Sequence, residues 1–137
     1  MANQIVSVEF VTEEANTTDL IAELEKSGGQ LEDQKPWAIP ADLIDDYADA
    51  QFEPFILVSA AVALGFLVKR ISDVWLDHTR PGGQVIDTRG ETIVVHVAPY
   101  LKRGTLVLQS DDGVEVFQME DRDEAIPVLE KAVSAHG

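Results

Sequence analysis

The chain has 137 residues, no cysteine, and 25 carboxylate side chains against ten lysines and arginines, giving a formal charge of −15. That length supports one hydrophobic core and a single domain spanning residues 1–137. The missing thiols exclude disulfides, thiolate metal sites and cysteine nucleophiles, and acidity without a basic stripe speaks against a nucleic-acid partner.

The charge is unevenly spread. Residues 1–50 carry twelve acids and two bases, residues 51–110 five and six, and residues 111–137 eight and two. Two acidic ends bracket a near-neutral centre. The opening "MANQIVSVEF" has neither a basic n-region nor an apolar h-region, so no secretory signal is expected. A cytoplasmic location follows as the expectation, with membrane association as its alternative.

"QIVSVEFV" alternates apolar residues and predicts a first strand. "NTTDLIAELEKSGG" predicts a helix, with Thr17 or Thr18 as a cap, a face of Leu20, Ile21 and Leu24, and Gly28-Gly29 as its stop. "QLEDQKPWAIP" is expected to be a polar connection, and Pro40 to start a short helix over "ADLIDDYADAQ".

The stretch "PFILVSAAVALGFLVKR" then runs fifteen residues without a charge before Lys69 and Arg70. With "ISDVWLDH" it is expected to form one long apolar helix over residues 51–78, ended by "RPGGQ". Beyond it the period falls to two in "QVIDT", "TIVVHV", "TLVLQ" and "VEVFQM". This predicts a β-meander or paired hairpins over residues 84–119, with Asp112-Gly113 as the strongest hairpin signal. Residues 121–134 are expected to be a closing helix, acidic at its start and carrying Lys131 and His136 toward its end. The class is α+β, a small mostly antiparallel sheet with a long central apolar helix and flanking helices, the helices on one face.

Three fates suit the apolar helix. Fifteen residues at about 1.5 Å each span roughly 23 Å, short of a hydrocarbon core of roughly 30 Å. Extending the span to Leu76 would draw in Lys69, Arg70 and Asp73, at about 2.5–3.5 kcal/mol each. A single-pass anchor is therefore strained. Burial by the chain's own sheet is the plainest fate. Self-association is the third, because Ser59 with Ala63 and Ala61 with Gly65 place small residues one helical turn apart.

Chemical motifs are sparse. Asp45, Asp46 and Asp49 in "DDYAD" have the spacing of an aspartate-rich magnesium site, but such enzymes need a large helical bundle. Asp77, His78 and His96 show none of the usual zinc spacings, and no serine-nucleophile motif is present. No catalytic, cofactor-binding or metal-binding residue is expected, and no cofactor.

The order of elements resembles a known layout. A strand–helix opening, "IVSVEF" with "DLIAELEK", precedes an apolar helix ending in "VWLDH". A hairpin with "SDDGVEVFQM" follows and leads into "EDRDEAIPVLEKAV". Over residues 1–27 and 52–134 this is similar to the effector-associated constant component family, small proteins encoded beside NTP-dependent bacterial conflict systems. The resemblance implies a non-catalytic partner of an effector in a bacterial defence system, with action at a membrane as a variant, and carries no active-site residues.

The expected function is therefore non-enzymatic: an assembly or scaffold component that uses residues 54–76 to form a homo-oligomer or bind a protein partner. The interaction residues expected are Phe55, Leu57, Val58, Ala61, Leu64, Gly65, Val68 and Trp75. The alternatives are a membrane-associating or pore-forming component that inserts the same helix, and an enzyme without a recognisable motif.

Overall fold

Two nine-residue strands, each passing straight into a helix, organise the molecule. The computed structural model describes residues 4–37, 55–77, 82–98 and 100–136. Strand β1 (Ile5–Glu13) leads directly into helix α1 (Glu14–Lys26), and β3 (Phe55–Ala63) directly into α2 (Leu64–Trp75). The two junctions share one geometry: Glu13 (φ −65, ψ 144) and Ala63 (φ −68, ψ 142) are the extended caps of their helices. β1 and β3 pair antiparallel along their whole length, from Ile5 opposite Ala63 to Glu13 opposite Phe55.

β2 (Gln30–Trp37), β4 (Gly83–Asp87), β5 (Ile93–Ala98), β6 (Leu106–Ser110) and β7 (Gly113–Phe117) complete a seven-stranded sheet in the order β2-β3-β1-β5-β4-β6-β7. A 3-10 turn (Met119–Asp121) then leads into α3 (Arg122–His136). The α+β class holds, but the sheet is large rather than small, and four of its six strand pairings are antiparallel. It is mixed, with β1–β5 and β4–β6 parallel. The expected polar connection over residues 30–37 is an edge strand. Residues 84–119 form paired hairpins, β4–β5 and β6–β7, joined through the parallel β4–β6 contact. The short helix expected over "ADLIDDYADAQ" lies outside the described residues.

The long central helix is corrected. Residues 55–63 are β3, a strand between β1 and β2, and of the described residues in this stretch only 64–75 are helical. The cause is double-sided burial. A strand covered on both faces loses its polar alternation, so its uninterrupted apolar run reads like a buried helix. In β3, Val58, Ala60 and Val62 face the helices while Phe55 and Leu57 pack on the opposite side, all of them buried. Among the described residues no helix is long and apolar enough to cross a membrane.

The three described helices cover one face, as expected. Leu20 and Leu24 of α1, Leu67, Ile71 and Trp75 of α2, and Ala125, Leu129 and Val133 of α3 pack on Val6, Val8, Phe10, Ile86, Ile93, Val95, Leu106 and Leu108 of the sheet. Most of these side chains are fully buried, and each large one contributes about 1.5–3 kcal/mol through removal from water. Polar groups inside this layer are paired. Gln84 Nε2 donates to the Ile71 carbonyl at 3.0 Å, and no buried side-chain polar atom among the described residues lacks a partner.

Candidate functional site

The eight residues expected to form an interaction surface are dispersed by the strand-to-helix division. Val58 (0% exposed) and Trp75 (3%) belong to the core beneath the helices. The Trp75 indole donates to the Gly104 carbonyl at 2.9 Å. Phe55 and Leu57 lie on the other side of the sheet with Val11, flanked by Trp37, Val94, Val97 and Tyr100. Ala61 is half-buried on β3, opposite Ser7 of β1 and Gln30 of β2. The small-residue pairs expected at helical spacing are strand residues for Ser59, Ala61 and Ala63, so they do not share a helix face with Gly65.

Leu64, Gly65 and Val68 do come together. They line a groove of about 760 Å³ between α2 and α3, completed by Lys69, Pro127, Glu130, Lys131 and Ser134. The strand-to-helix turn at Ala63 creates this site. It places the first turn of α2 over the edge of the core, fixed by the Leu64 N–H donating to the Gln4 carbonyl at 2.7 Å. Gln4 in turn donates through Nε2 to the Ser134 carbonyl at 3.2 Å, which ties the same point to α3. Gly65 is exposed, Val68 is partly covered by the core, and Leu64 is buried to 6% exposure, so the floor is apolar but open.

The electrostatics of this flank differ from those of the chain. Lys69 of α2 and Glu130 and Lys131 of α3 line the groove with charges of both signs. A neighbouring depression of about 350 Å³ is lined by Glu23, Lys26, Ser27, Phe66, Lys69, Arg70 and Asp73. Arg70 Nη1 bonds Glu23 Oε2 at 2.6 Å, joining α1 to α2, and Lys69 Nζ bonds Asp73 at 2.9 Å. The Asp73 carboxylate holds the Lys69 ammonium above its ordinary value by hydrogen bonding and charge. In a chain of net charge −15, the exposed side of α2 is therefore locally balanced.

His96 lies in an aromatic cluster on the opposite face of the sheet. Its ring is 4.6 Å from Trp37 and 5.7 Å from Phe55, centroid to centroid, and Trp37 meets Phe55 edge-on at 5.5 Å. Burial pushes the imidazole below its ordinary value. His78 and the Asp45, Asp46 and Asp49 cluster lie outside the described residues. Among the described residues no three His, Asp or Glu side chains converge to hold a metal ion.

Pro127, Glu130, Lys131 and Ser134 were not expected at an interaction surface. They stand some sixty positions along the chain from Gly65, and only packing of α3 beside α2 makes them neighbours. Comparison of the chain with protein-family models, with curated proteins and with solved structures returns no match.

Proposed function

We propose that the protein is a non-enzymatic assembly component whose copies associate through the groove between α2 and α3. One observation carries this reading. The groove combines an open apolar floor (Leu64, Gly65, Val68, Pro127) with rim groups of both signs, Lys69, Lys131 and Glu130. A surface of that kind is self-complementary about a two-fold axis, because each copy offers the cation that the other copy's anion needs. Gly65 and Ser134 keep the helix surfaces low, which lets a second pair of helices approach closely. The local charge balance matters for a chain this acidic, since copies meeting at any strongly acidic face would repel.

This reading keeps the helical half of the apolar segment as the interaction surface and gives its strand half to the core. It is compatible with the non-catalytic role that the resemblance to the effector-associated constant component family implied, although the long apolar helix in that order of elements is β3 followed by α2. Membrane insertion of one continuous helix loses its physical basis. α2 has twelve residues and includes Lys69, Arg70 and Asp73, and at about 1.5 Å per residue it spans roughly 18 Å.

Solution mass by light scattering tests the proposal. The wild-type chain is expected to show a mass rising with concentration toward twice the monomer. Val68→Glu and Gly65→Trp are expected to return it to the monomer with an unchanged far-ultraviolet circular dichroism spectrum. Two folded variants that associate like the wild type would refute the assignment of this groove.

A further inference from the structure

The two edges of the sheet are built differently. β2 carries Glu32, Asp33, Lys35 and Pro36 and a register irregularity between Leu31 and Asp33. Charges, proline and bulges are the devices that keep an edge from pairing with another chain. β7, "GVEVF", has one charge, no proline and an unbroken register with β6. Val114 and Val116 are each 58% exposed. An antiparallel ladder turns the N–H and C=O groups of every second residue outward. Counted from the Ser110–Gly113 pair that closes the hairpin, the outward residues are Val114 and Val116.

The surroundings of this edge are acidic. From Asp111 to Glu124 the chain holds seven carboxylates against the single Arg122. On the helix side, a groove of about 590 Å³ lies between the β6–β7 hairpin, the turn at Thr88–Glu91 and α3. Leu108, Val128 and Ala132 give it apolar walls, and Glu91, Asp111, Asp112 and Glu115 line it with negative charge. Of its two cations, Arg89 is already held by Asp87 at 3.0 Å, and Lys131 is the other. The register places Glu115 on this side with Leu108, and places Val114 and Val116 on the opposite side with Gln109 and Val107.

We infer that β7 accepts an extended, basic segment of a partner protein as an eighth strand. The backbone groups of Val114 and Val116 supply the ladder. Alternate side chains of the added strand divide between the two faces. Lysines or arginines reach Glu115, Asp111 and Asp112 on the helix side, and β-branched residues cover Val114 and Val116 on the other. A second copy of this chain is disfavoured as the occupant, because β7 against β7 brings two such acidic edges together. This surface shares only Lys131 with the lining of the α2–α3 groove, and its ladder groups at Val114 and Val116 lie outside that groove, so either can fail without the other.

The test uses the full-length protein labelled with ¹⁵N and a blocked peptide of about six residues alternating lysine and valine. An alternating glutamate–valine peptide is the control. The basic peptide is expected to shift the amides of Gly113–Phe117 saturably and to weaken with added salt, and the acidic one to leave them unmoved. Glu115→Lys is expected to lower the affinity about tenfold. Val116→Pro removes an outward donor at an edge position where proline is tolerated, and is expected to abolish binding while the rest of the spectrum is retained. Three outcomes would each overturn the proposal: equal response to both peptides, shifts confined to other elements, or a wild-type dimer that Val116→Pro disrupts.

Discussion

Trp75 and Gly104 are joined by a buried hydrogen bond of 2.9 Å across 29 positions, the indole N–H donating to the glycine carbonyl. This bond fastens the end of α2 to the loop between β5 and β6. Gly104 itself has φ +80, and a Cβ there would stand 2.8 Å from Met119 Cγ. α2 and the β5–β6 loop are thus joined at one point by Trp75, a residue expected from the sequence at an interaction surface, while Met119 packs close to the glycine.

Replacement of Trp75 by Phe is expected to keep most of the packing and leave the Gly104 carbonyl unpaired. The predicted loss is about 1–3 kcal/mol, read as a lower urea midpoint. A variant as stable as the wild type would show that the bond contributes nothing.

The strand assignment of residues 55–63 has its own signature at Ala61. Alanine to threonine in a helix costs several tenths of a kcal/mol. On a half-buried strand face the same change is neutral or stabilises by up to about 1 kcal/mol. Ala61→Thr is therefore expected to hold or raise the urea midpoint.

How much of this was legible follows from the kind of burial each segment has. β1 and β6 declare themselves because one face is wetter than the other, and β7, though exposed on both faces, declares itself by the alternation of "GVEVF" after the turn residues Asp111-Asp112-Gly113. Gly113, at φ +129, takes up the backbone demand after the turn. α1 ends as its glycines foretell, with Gly28 at φ +84. β3 hides because it is apolar on both faces, which erases the period. β2 hides for the opposite reason: nearly all of it is exposed, so it reads as a linker. The α2 half of the groove, Leu64, Gly65 and Val68, falls within five consecutive positions and is visible in the sequence as one local apolar cluster. The α3 half depends on tertiary packing and leaves no mark in local sequence.

Gly83 sits where β4 meets the Thr105 backbone, and a Cβ at this position would collide with the Thr105 carbonyl oxygen. The Gln84 N–H donates to that same carbonyl at 3.0 Å, so the strand cannot move away without losing the bond. Gly83→Ala is expected to destabilise by about 1–3 kcal/mol, measurable as a lower melting temperature. An unchanged melting temperature would contradict the close approach.

Acid should weaken the fold in two windows. The folded state holds His96 below its ordinary value of about 6.5 through burial. The unfolded chain therefore binds the proton first as pH falls. Stability from this group is full above about pH 6.5 and declines below it, by at most about 1.4 kcal/mol per pH unit, until the folded state also protonates. The Arg89 guanidinium holds Asp87 below its ordinary value by hydrogen bonding. Its contribution is present above about pH 3.9 and is lost as pH drops further. Urea titrations at stepped pH are expected to show the first decline in the wild type and a flatter profile in His96→Phe.

The association of copies through the α2–α3 groove is tested most directly by distance. The chain has no cysteine, so Lys26→Cys, at an exposed residue of α1 outside the groove, gives one attachment point for a nitroxide and leaves Gly65 small. Helices packed face to face lie about 8–10 Å apart, axis to axis, which fixes the separation of the two labels across the two-fold axis. Pulsed dipolar spectroscopy is predicted to give one narrow intermolecular distance that disappears on dilution with unlabelled protein. A label at Lys26 with no dipolar partner, in a sample whose scattering mass shows dimer, would contradict the account.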